Sequence, residues 1–112
     1  MIFFNCLFRT EILPNIFELA RTQTNIKISI QIEDYEDRTI ESIRNDIKFF
    51  IDNFNSGLHK LYSIKHTRLM PVFYIKSSFL IKDSDWKKLT TKGGLLTIRS
   101  TYYDSLLIGH IE

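Results

Sequence analysis

Residues 25–54 read NIKISIQIEDYEDRTIESIRNDIKFFIDNF, and two periodicities meet inside that stretch. From Asn25 to Glu33, Ile26, Ile28, Ile30 and Ile32 alternate with Lys27, Ser29 and Gln31. A period of two in β-branched residues predicts a strand with one buried face. Beyond it the period lengthens. Asp37 or Thr39 can cap a helix, and Glu41 in the first turn suits the positive end of the helix dipole. Ile40, Ile43, Ile47, Phe50, Ile51 and Phe54 then fall on one stripe, predicting an amphipathic helix over about residues 38–55. Asn55, Ser56 and Gly57 supply its stop.

Working outward, Ile2 to Phe8 reads as a short strand, and Pro14 opens a shorter helix over about residues 14–22. After Gly57 the chain turns β-rich. Tyr62 to Met70 is mixed and basic, and Pro71 marks a boundary. In Val72 to Ile81 the apolar side chains of Phe73, Ile75, Phe79 and Ile81 share one face. Asp83 to Leu89 is a brief helical turn around Trp86, and Lys92-Gly93-Gly94 a hairpin turn. Leu95 to Tyr103 and Ser105 to Ile111 read as two more strands. Strands clustered after the long helix predict an α+β fold. Its sheet is expected to be mostly antiparallel, with about 4–6 strands, the helix packed on one face.

Composition sets the frame for function. The 112 residues are 44% hydrophobic and 25% charged, the balance of one globular domain spanning residues 1–112. Cys6 is the single cysteine, which excludes an internal disulfide and fits a reducing compartment. The apolar start is short, lacks a basic lead and a cleavage site, and no run reaches the ~20 residues that span a bilayer. A cytoplasmic protein is expected. Net charge is +2, but it is segregated: residues 1–56 carry six Lys/Arg against nine Asp/Glu, and residues 57–112 nine against four.

Chemical motifs are sparse. The one glycine pair does not open a helix, so neither a phosphate loop nor a dinucleotide fingerprint is present. His59, His66, His110 and Cys6 lack metal-ligand spacing, so no metal and no cofactor are expected. Those histidines with Lys65 could cleave RNA by acid–base chemistry, but no spacing requires it. The pattern points away from an enzyme. Lys60, Lys65, His66, Arg68, Lys76, Lys82, Lys87, Lys88, Lys92 and Arg99, interleaved with Tyr62, Tyr74 and Trp86, suit a single-stranded nucleic-acid binder as the alternative.

The most distinctive patch is Glu33-Asp34-Tyr35-Glu36-Asp37, with Glu41 one helical turn beyond. Four carboxylates around one tyrosine suit a docking surface: the acids steer a basic partner and the ring anchors it. With this patch, its small size and no catalytic motif, the chain resembles the immunity proteins of bacterial contact-dependent growth inhibition systems. That resemblance implies a non-enzymatic inhibitor that binds and neutralises a cognate protein toxin, such as a nuclease domain. Glu33, Asp34, Tyr35, Glu36, Asp37 and Glu41 would be its partner-binding residues.

Overall fold

The computed structural model describes residues 2–4, 29–54, 63–65 and 69–109. Its elements are β1 (Ile2–Phe4), β2 (Ile30–Ile32), α1 (Ile40–Phe54), β3 (Ser63–Lys65), β4 (Leu69–Ile75), a 3-10 turn (Ser78–Leu80), α2 (Asp83–Thr90) and β5 (Leu106–Gly109). The expected helix over 14–22 lies outside the described residues.

The expectation of a mostly antiparallel sheet is wrong. β1, β2, β4 and β5 lie side by side in that order, and every neighbouring pair is parallel. Only β3 runs antiparallel, against the first half of β4. The reason is the connections: α1 stands between β2 and β4, and α2 between β4 and β5. Each carries the chain back to the end where it started, so the next strand enters in the same direction. Consecutive parallel strands in chain order, alternating with helices, form the repeating unit of a β/α barrel.

The segment that misled the strand count is Leu95 to Tyr103. It is a chain of turns fastened to the end of α2. The Leu96 N–H donates to Lys88 O (3.0 Å) and the Ile98 N–H to Leu89 O (3.0 Å), which leaves neither free for a ladder. Leu95 is 84% exposed and Ile98 is buried in the core, with no ladder partner on either side among the described residues. The strand expected over Val72–Ile81 likewise stops at Ile75, because Ser77 takes the left-handed conformation (φ 52). Phe79 consequently leaves the buried face and is 58% exposed.

The helix expectation holds. Of the two possible caps, Thr39 is used: its Oγ1 accepts from the Ser42 N–H (3.1 Å), and Ser42 Oγ accepts from the Thr39 N–H (2.8 Å). This is a capping box with serine in the acid's place. Ile40, Ile43, Ile47, Phe50 and Ile51 are buried against Ile30 and Ile32 of β2 and Phe73 and Ile75 of β4, with Leu89 and Ile98 completing the cluster. Burying each such side chain is worth about 1.5–3 kcal/mol. Alternation puts Gln31, Tyr74, Leu106 and Ile108 on the opposite face of the sheet.

Candidate functional site

In parallel α/β folds ligands bind where the strands end, because the loops there are free to carry chemistry while the sheet holds them rigid. At that edge the last turn of the ladder is closed by the Lys76 N–H donating to Ile32 O (3.0 Å). Glu33 and Lys76, each one residue past its strand, therefore stand side by side on the face away from the helices. Lys76 Nζ lies 3.8 Å from Glu33 Oε2. Gln31 Nε2 reaches the same oxygen at 3.5 Å, the outer limit of a hydrogen bond.

Arg38 stands behind this pair. Its Nη1 donates to the carbonyls of Glu33 (3.0 Å) and Lys76 (2.8 Å), and its Nη2 to that of Ser77 (3.1 Å). Burial pulls the guanidinium below its usual pKa, an effect that the Asp34, Tyr35, Asp46 and Glu33 charges oppose.

The six residues of the acidic patch separate in space. Glu33 and Tyr35 are half-buried, whereas Asp34, Glu36, Asp37 and Glu41 are exposed. Tyr35 is turned inward. Its ring packs on the core cluster, and its hydroxyl donates to Asp46, a carboxylate only 2% exposed in α1, with Ser42 Oγ 2.8 Å away. The patch thus has its tyrosine tacked to the helix, and one of its acids is engaged with lysine. His59, His66 and His110 lie outside the described residues, and among the described residues no cluster of His, Cys, Asp and Glu could hold a metal.

On the helix side of the same edge is a cleft of about 220 Å³ lined by Ile75, Ser78, Trp86, Thr90, Leu107 and Gly109. Trp86 Nε1 donates to Ser78 O (2.9 Å), which fixes the 3-10 turn against α2. A Cβ on Gly109 would come within 2.8 Å of Ser78 Oγ, so that hydroxyl would have to turn aside. The basic residues read as tracking phosphates are partly spoken for. Lys76 pairs with Glu33, Lys88 with Asp85 (3.1 Å) and Arg99 with Asp104 (2.6 Å).

Reading from sequence missed Arg38 altogether and placed Lys76 with nucleic acid. Neither carries a signal of its own in sequence: Arg38 lies six residues past Ile32, and Lys76 lies inside a segment whose alternation runs on to Ile81.

The sequence pattern of Glycosyl hydrolase family 99 matches residues 6–111. Glycoprotein endo-alpha-1,2-mannosidase of Xenopus laevis is 31% identical over 100 residues, 88% of this chain and 22% of that protein. Glycoprotein endo-alpha-1,2-mannosidase-like protein of Mus musculus is 32% identical over 99 residues, with the same shares. The chain thus spans about a fifth of the length of these relatives. Among solved structures, the GH99 endo-alpha-mannosidase from Bacteroides thetaiotaomicron, in complex with bis-tris-propane, is similar. Its TM-score is 0.78 at 27% identity, over 91% of this chain and 30% of that one.

These matches overturn the resemblance to contact-dependent growth inhibition immunity proteins. The toxin partner, the non-enzymatic inhibitor and the nucleic-acid alternative go with it, since the family is one of enzymes whose substrates are glycans. The physical ground agrees: the docking tyrosine is packed inward, and the sheet is a parallel β/α array. With its sequence matched almost end to end and its fold shared at 27% identity, the chain belongs to glycosyl hydrolase family 99.

Proposed function

We propose that this chain supplies one glycan-contacting wall of an endo-α-mannosidase-type glycosidase, with Glu33 and Lys76 facing the sugar. The observation that carries this is the Glu33–Lys76 pair at the strand ends, 3.8 Å apart on the face away from the helices. A carboxylate accepts hydrogen bonds from sugar hydroxyls and an ammonium donates them, so the pair suits a neutral, hydroxyl-rich ligand. A carboxylate so placed also stabilises the positive charge that develops when a glycosidic bond breaks. Such hydrolysis generally uses two carboxyl groups flanking the bond. The acids at positions 33, 34, 36 and 37 share one strand end, so the opposing acid belongs to a different strand. The relatives' names point to α-1,2-linked mannose as the substrate class.

The test is titration of the ¹⁵N-labelled chain with α-1,2-linked mannobiose. Amide shifts are expected at Gln31–Asp34 and Ile75–Ser77, and Glu33→Gln or Lys76→Met should weaken binding about tenfold, the worth of one charge-assisted hydrogen bond. Shifts confined to other surfaces, or unchanged affinity in both variants, would overturn the assignment.

A further inference from the structure

We infer that Arg38 is a positioning residue, a backbone clamp whose guanidinium bridges the ends of β2 and β4 and so sets the spacing of the Glu33 and Lys76 side chains. The inference rests on the glycan-wall reading for its functional consequence, but its geometry stands independently. Two of the three carbonyls that Arg38 grips belong to Glu33 and Lys76 themselves, and the third to Ser77, the next residue. One planar group therefore reaches the main chain of both members of the pair, across 38 and 39 residues of sequence on the β4 side.

The clamp also sits where the backbone is least comfortable. Asp37, immediately before Arg38, and Ser77, whose carbonyl it holds, are both left-handed without being glycine (φ 63 and 52). L-residues keep that conformation only where surrounding contacts over-determine it. Three hydrogen bonds from a half-buried cation to Glu33, Lys76 and Ser77 are such contacts. The Ser77 carbonyl also accepts from the Leu80 N–H (3.0 Å), so the same guanidinium ties the 3-10 turn to the two strand ends.

The chemistry requires arginine. A guanidinium presents donors in a fixed fork and spans two strand ends at once, whereas a lysine ammonium is a point that reaches one. Its hydrogen bonds here go to neutral carbonyls, while the Asp34, Asp46 and Glu33 carboxylates act on its charge through space.

The experiment compares the unaltered chain with Arg38→Ala and Arg38→Lys. In the unaltered protein the Arg38 side-chain N–H protons should give separate, slowly exchanging NMR signals; their absence would overturn the clamp without any variant. In both variants the Lys76 and Ser77 amide signals should move while the α1 core signals stay. Mannobiose affinity should fall on the order of tenfold, as expected for a sub-ångström to ångström displacement of a binding pair. Methylguanidinium should restore both the signals and the affinity of Arg38→Ala, whereas the same concentration of sodium chloride should not. A residue that merely stabilised the fold would show no such selective rescue. Unmoved Lys76 and Ser77 signals, or full affinity in Arg38→Ala, would refute the inference. If the unaltered chain fails to bind mannobiose, the glycan-wall reading falls, and the clamp is judged on the side-chain and amide signals alone.

Discussion

Replacing Tyr35 by phenylalanine isolates what the hydroxyl contributes to the loop that carries Glu33. The substitution is isosteric, and the ring keeps its place against the core cluster, so the hydrophobic term is unchanged. What is lost is the hydrogen bond to the buried Asp46 carboxylate, together with the contact to Ser42 Oγ at 2.8 Å. Ser42 retains its three Thr39 contacts and loses little. A hydrogen bond to a charged group contributes about 1.5–3 kcal/mol, so a destabilisation of roughly 2 kcal/mol is expected. At about 2.1 cal/mol/K of unfolding entropy per residue, that lowers the melting temperature of a chain this size by roughly 9 °C. Urea unfolding at neutral pH followed by circular dichroism measures it. The control is a double-mutant cycle: Tyr35→Phe should cost much less in an Asp46→Asn background, because the hydroxyl then meets a neutral amide. A loss below about 0.5 kcal/mol, or equal losses in both backgrounds, would refute the argument that this contact holds the loop.

Two further substitutions probe the frame behind the site. Phe50→Ala removes a ring that is fully buried and lies 6.0 Å, centroid to centroid, from Phe73; a loss of about 3–5 kcal/mol in urea unfolding is expected. Thr39→Ala breaks one half of the reciprocal cap at the start of α1, with an expected cost of about 1 kcal/mol. A loss in Thr39→Ala as large as in Phe50→Ala would mean that the capping turn, not the apolar stripe, holds α1 in place.

What the sequence made legible was local. The α1 stripe is a property of one helix and one face, and each of its positions through Ile51 is buried as the period requires. The alternation of Ile30 and Ile32 around Gln31 is likewise visible within three residues. Strand direction is not local. Whether β4 runs with or against β2 depends on where α1 returns the chain, and Val-, Ile- and Phe-rich segments look alike in either case. Leu95 to Tyr103 shows the complementary failure. Its alternation is real in sequence, but its amides are spent on the C-terminal turn of α2, a commitment that composition does not display. The pairing at the candidate site is equally non-local. Glu33 was visible as part of an acidic run, yet the lysine that engages it is 43 positions away and arrives through the register Ile32↔Ile75.

One face of the sheet is only partly covered among the described residues. A closed β/α barrel takes eight parallel strands, with its interior filled by side chains from the inward face. Among the described residues four strands are parallel, and on the face away from the helices Leu106 and Ile108 of β5 remain 36% and 38% exposed. Leaving two such side chains in water forgoes roughly 1 kcal/mol or more each. The same face carries Glu33 and Lys76 at its upper rim. Whatever covers Leu106 and Ile108 would therefore also come close to Glu33 and Lys76. Cover for this apolar face and close surroundings for the Glu33–Lys76 pair are, on this geometry, one requirement.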